Sequence, residues 1–163
     1  MRPLVLIALA AALVATPASA ASPRAKVLVR VTSVGALLVD SRGHTLYAYA
    51  SDKGRTSACY GGCASSWPPL LTGAKPLAGA GAHASLLGMT KRKDGKLQVT
   101  YAGHPLYRFA ADSAPGELKG QGFGGVWWAV GPSGAKVTRT ETPPPPPTTT
   151  TAPGYKYPGG DGY

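Results

Sequence analysis

The residues best equipped for chemistry are two cysteines, three histidines and seven carboxylates. Cys59-Tyr60-Gly61-Gly62-Cys63 places two thiols four residues apart with two glycines between them. In an oxidising compartment this spacing most simply closes a small disulfide loop. The loop-closure entropy is worth only about 2 kcal/mol, enough to pin a loop more than to hold a fold. The alternative is a redox or copper-binding site, because paired thiolates joined by a histidine suit a soft copper ion. His44 and His104 are the candidates, each beside an expected hairpin turn in equivalent contexts. A pseudo-twofold relation would bring them together as a metal pair; the plainer reading is two turn histidines. Catalysis finds little support. No serine stands in a Gly-x-Ser-x-Gly elbow, and no pair of carboxylates accompanies a plausible base. Gly120-Gln121-Gly122-Phe123-Gly124-Gly125 resembles a phosphate loop only in composition, because no strand-to-helix context surrounds it. No catalytic residue is expected, and no cofactor beyond the copper alternative.

The elements that would carry these residues repeat. Sliding the chain by 60 residues aligns 35–67 with 95–127 without gaps, and 11 of the 33 positions are identical. Lys26 to Thr32 alternates apolar and polar residues, the period of a half-buried strand. Leu37 to Asp40 follows, then a turn at Ser41-Arg42-Gly43 and a strand over Thr45 to Ala50. The second copy repeats the series with Ser85 to Thr90, a turn at Lys93-Asp94-Gly95, Leu97 to Tyr101, the turn Ala102-Gly103 and Leu106 to Ala110. Trp127 to Val130 and Ala135 to Thr138 predict a last hairpin turning at Gly131 to Gly134. Residues 73–84 are too poor in bulk to suggest a strand, and no mature segment holds a helical period over ten residues. The expected fold is all-β, with two pseudo-symmetric antiparallel meander or hairpin repeats packed as one domain. Its expected parts are a leader over 1–20, repeats over 21–78 and 79–140, and a tail over 141–163.

The repeated core reads Tyr47-x-Tyr49-x-x-Asp52 and again Tyr107-x-Phe109-x-x-Asp112. Strand residues two apart share a face, so each copy sets two aromatic rings in one layer. Each aspartate falls just past its strand, where a carboxylate accepts bonds from loop amides. Trp67 and Trp127 stand ready to close each unit, and the plainer role of these eight residues is structural. The pattern resembles a bacterial family of secreted and lipid-anchored proteins defined by a Y-x-[FWY]-x-x-D motif, the secreted repeat of unknown function. The family's D-x-x-G-x-x-L-Y entry corresponds to Asp40 through Tyr47, its paired loop cysteines to Cys59 and Cys63, and its W-P-P to Trp67-Pro68-Pro69. The resemblance spans about residues 27–131 and implies an extracytoplasmic β-rich domain without established catalytic activity. The second copy departs from it, with Thr100 aligned to Asp40, no cysteines, and Trp127-Trp128 in place of W-P-P.

Composition agrees with export. Arg2, the apolar run Leu4 to Ala15 and Ala18-Ser19-Ala20 form a signal-peptide pattern, with cleavage expected after Ala20. The apolar run is too short to span a bilayer, so no membrane-crossing segment is expected after cleavage. No cysteine lies near the expected cleavage site, so a lipoprotein-type acyl anchor is not expected. With 17 Lys and Arg against 7 Asp and Glu, the chain should be drawn to anionic cell-wall or envelope polymers, although the same charge also serves solubility. No recognisable nucleic-acid module is present. The cations at Lys91-Arg92-Lys93 and Lys96 are expected to form a solvated turn. Gly and Pro number 22 and 16, which excludes a long-helix bundle. The segment from Glu141, with its run of prolines and threonines, reads as a polyproline-type spacer.

Overall fold

A computed structural model describes residues 23–139, so the expected leader and most of the expected tail lie outside the described residues. The fold is all-β. Strand β1 (Lys26–Thr32) turns into β2 (Gly35–Asp40), paired from Thr32 opposite Gly35 to Val27 opposite Asp40. The short strand β3 (Tyr47–Tyr49) follows. A five-residue helix α1 (Gly62–Ser66) and a two-residue strand β4 (Leu77–Ala78) close the first half. The second half begins with β5 (Leu87–Lys91) and β6 (Leu97–Tyr101), paired as an antiparallel hairpin. Next come β7 (His104–Pro105) and β8 (Trp127–Ala129).

Segment 73–84 does contribute a strand, against expectation. β4 runs parallel to β1, held by Leu77 N–H to Ala25 O (2.8 Å) and Gly79 N–H to Val27 O (2.7 Å). Backbone bonds suffice there, so the missing bulk is no obstacle. The strand expected over Leu106 to Ala110 is also broken up. Tyr107 divides its pairing between Tyr47 and Pro69, so the ladder changes partner at that residue.

The two copies interlock. β3 of the first pairs with β8 of the second, Tyr47 opposite Ala129 and Tyr49 opposite Trp127. The reciprocal contact is made by Tyr107 opposite Pro69, with Arg108 N–H donating to Pro68 O and Ala110 N–H to Ser66 O. At the centre Tyr47 and Tyr107 exchange both backbone bonds, each 2.9 Å, so a pseudo-twofold axis passes between them. Both buried clusters draw on both copies: one joins Leu38, Leu46 and Leu70 to Val99, Leu106 and Val130, the other joins Tyr47 and Trp67 to Tyr107 and Trp127.

The constant offset of 60 needs correcting inside each hairpin. Val27 faces Asp40, whereas Leu87 faces Tyr101, so β2 and β6 correspond at an offset of 61. The buried runs agree, Leu37 to Asp40 matching Gln98 to Tyr101. One residue gained in the β5–β6 turn is given back in the next turn. There Ala102 (φ +48°) and Gly103 (φ +83°) make a two-residue connection with both residues left-handed, where the first copy uses Ser41-Arg42-Gly43. The counterpart of Asp40 is therefore Tyr101 and not Thr100.

Candidate functional site

The motif residues converge on the pseudo-twofold axis, and each copy completes the other. The Tyr47 hydroxyl donates to Asp112 Oδ2 at 2.6 Å, and the Tyr107 hydroxyl donates to Asp52 Oδ2 at 2.8 Å. Each aspartate's second oxygen accepts a loop amide: Ala58 N–H at 2.8 Å for Asp52 and Lys119 N–H at 3.0 Å for Asp112. The expected bonds to loop amides are present, and the phenol of the opposite copy is the partner that spacing within one copy does not reveal.

Electrostatics follow from burial. Removal from water raises the Asp52 and Asp112 carboxyls above their ordinary value of 3.8, against the pull of the donors they hold. Burial first, and the facing Asp112 second, push the Tyr47 phenol far above its ordinary 10. Burial likewise raises Tyr107, with Asp52 adding to the effect and a bond to Ser57 opposing it. Both phenols stay protonated and serve as donors. The arrangement is two satisfied bolts across one interface.

Alternation on β3 and its counterpart sends the second aromatic of each motif into a stack. Tyr49 lies on Trp127 (4.2 Å between centroids), Trp127 on Trp67 (3.9 Å, 2° between planes), and Trp67 on Phe109 (4.2 Å). Four rings thus run across the axis, two from each copy, while Tyr47 and Tyr107 meet Trp67 and Trp127 edge-on. Phe123, 53% exposed, caps the Phe109 end. Gly120 is required beside this stack, because a Cβ there would come within 2.9 Å of both the Trp67 and Tyr47 rings.

Cys59 and Cys63 are joined as a disulfide, with Cys59 buried against the aromatic cluster. His44 lies 3.5 Å from Asp40, whereas His104 lines a different cavity with Asp52, Tyr49 and Trp128. Among the described residues no group of three or more His, Cys, Asp and Glu is placed to hold a metal ion.

The basic turn is exposed at Lys91, Lys93 and Lys96, as expected, and departs from expectation at Arg92. Arg92 is 4% exposed, not solvated. Its guanidinium donates to Gln98 Oε1 (2.7 Å), Cys59 O (2.8 Å) and Ser57 Oγ (2.9 Å), and its plane covers Tyr60. The second copy's hairpin therefore grips the first copy's disulfide loop. The signal available in sequence was Gln98, an amide within an apolar strand that must find a partner once buried.

Residues 29–71 and 88–131 each match a family described as "Secreted repeat of unknown function". The chain belongs to that family. No curated protein and no solved structure matches it. The two matched stretches of this secreted repeat are the two interlocked halves, and membership implies an extracellular location. Among the described residues no helix is long and apolar enough to cross a membrane.

Proposed function

We propose that this secreted repeat acts in the cell envelope as a non-catalytic module that binds anionic wall or envelope polymers through its cationic surface. One observation carries the reading. Residues 23–139 hold fifteen Lys and Arg but only five acids, Asp40, Asp52, Asp94, Asp112 and Glu117. All five acids are already engaged within the fold. Only Arg92, Arg108 and Lys119 have a carboxylate in ion-pair range, which leaves twelve described cations facing none. Such an excess raises the local concentration of polyanions and is screened over about 8–10 Å at physiological salt.

The absence of catalysis is part of the same proposal. The motif carboxylates, the obvious acid–base candidates, are each committed to a phenol and an amide. Export with cleavage after Ala20 and without an acyl anchor completes the reading. Co-sedimentation with a purified anionic wall polymer across a salt series tests it. The expected result is binding whose logarithm falls linearly with the logarithm of salt; absent or salt-insensitive binding would remove the proposal.

A further inference from the structure

One concavity of the cationic surface gathers several cations. A groove of about 250 Å³ is lined by Arg24, Lys26, Arg42 and Arg108, with Leu70 on its wall and Asp40 at its base. Asp40 is 2% exposed. Its Oδ2 accepts Arg108 Nε–H at 2.6 Å, and its Oδ1 accepts the amides of Arg42 (2.8 Å) and His44 (3.1 Å). Arg24 is held in the same way, its Nε–H donating to Lys75 O at 2.9 Å. Two guanidiniums are thus oriented through Nε, and no described residue accepts from their Nη groups. An arginine held through Nε keeps its outer donors available and loses less rotamer freedom when an oxyanion arrives.

We infer that this groove is a phosphate-binding subsite, which takes the phosphodiester oxygens of an anionic envelope polymer. The inference deepens the polymer-binding reading and rests on it for the identity of the polymer. A tetrahedral phosphate offers acceptors in several directions and can meet guanidiniums converging from separate segments, whereas a planar carboxylate satisfies one fork. Four cations line the groove, and its single carboxylate is already occupied by Arg108 and two amides. Although burial opposes it, Arg108 keeps Asp40 ionised below the ordinary carboxylate value, so the anchor persists at neutral pH. The groove also exists only once in the duplication. The pseudo-symmetric counterparts of Asp40 and Arg108 are Tyr101 and Ala48, which cannot make the pair. Tyr101 instead donates its hydroxyl to Pro132 O and accepts from His83 N–H.

The test titrates the whole chain with inorganic phosphate at constant ionic strength, following arginine Nε–Hε resonances. Saturable shifts are expected at Arg24 and Arg108 with phosphate and with poly(glycerol phosphate), and none with acetate or polygalacturonate. Arg24→Gln with Arg42→Gln, both on exposed side chains, should weaken phosphate binding at least tenfold, while Lys91→Gln with Lys93→Gln leaves it unchanged. Shifts that never saturate, that acetate reproduces, or that survive the first pair of substitutions would overturn the inference. The two readings fail separately. Polymer binding that ignores the first pair of substitutions sinks the groove and leaves the cationic surface standing. Saturable phosphate binding in a chain that captures no polymer sinks the surface reading and leaves the groove.

Discussion

Replacing Tyr47 by Phe removes one hydroxyl and little else, because the ring keeps its edge-on contact with Trp67. Asp112 Oδ2 then loses a buried donor at 2.6 Å, and its carboxylate retains only the Lys119 amide on the other oxygen. A hydrogen bond to a charged group contributes about 1.5–3 kcal/mol, and leaving the acceptor buried puts the cost near the upper end. For a domain of about 120 residues, each kcal/mol moves Tm by roughly 3–5 °C, so a cost of about 2–3 kcal/mol gives an expected fall of about 6–15 °C. Asp112→Asn weakens the same contact, and the double variant should cost less than the two singles together, with a coupling of about 1–2 kcal/mol. Tyr49→Phe is the control, since that hydroxyl has no hydrogen bond among the described residues. Urea unfolding of the four proteins of the cycle, with the control alongside, measures all of this. A Tyr47→Phe cost within 0.5 kcal/mol of the control (roughly the scatter expected of surface changes), or strict additivity with Asp112→Asn, would refute the crossed pair as a stabilising contact.

The two raised aspartates give a pH dependence of definite sign. Folded Asp52 and Asp112 hold protons that the unfolded chain has lost, so their contribution is present below pH 3.8 and lost as pH rises through their raised values. Asp40, lowered by Arg108, contributes above 3.8 and loses that contribution as pH falls through its folded value. Above the ordinary carboxylate range the lowered groups add nothing further, so urea midpoints should decline as pH rises through the raised values of Asp52 and Asp112, with a smaller decline in Asp112→Asn; a rise there in the unsubstituted chain contradicts the assignment. Arg92→Ala leaves Gln98 Oε1, Cys59 O and Ser57 Oγ without this donor and should cost about 3 kcal/mol, with little rescue by Arg92→Lys because one ammonium cannot reproduce the fork. Gly120→Ala pushes a methyl against Trp67 and Tyr47 and should cost about 1–3 kcal/mol, read as a lower denaturation midpoint.

Much of this fold is legible in the chain because its signals are local. Alternation over Lys26 to Thr32 and Leu97 to Tyr101 coincides with β1 and β6 residue for residue. The duplicated motif announces a paired architecture and the aromatic layer. What stayed hidden is long-range or differs by a single residue. Tyr47 and Asp112 lie 65 positions apart, and nothing within one copy says that its tyrosine serves the other copy's aspartate. The one-residue exchange between turns is invisible to an ungapped alignment, because Gly35, Leu37 and Val39 still meet identical residues 60 positions on. Arg92 looked solvated because a basic turn normally is; the buried Gln98 and the Cys59 carbonyl reverse that expectation. Likewise, Asp40 matches the family's strand entry, but its anchoring of Arg108 from the second copy depends on the interlock.

The central claim is that the repeated motif bolts each copy to the other. It is tested most directly by assigning the hydroxyl protons of Tyr47 and Tyr107 by NMR in the folded chain. The crossed arrangement predicts two slowly exchanging hydroxyl protons, with Tyr47 showing contacts to the Asp112 methylene and Tyr107 to that of Asp52. Hydroxyl protons lost to rapid exchange, or contacts from Tyr47 to Asp52 and from Tyr107 to Asp112, would contradict it.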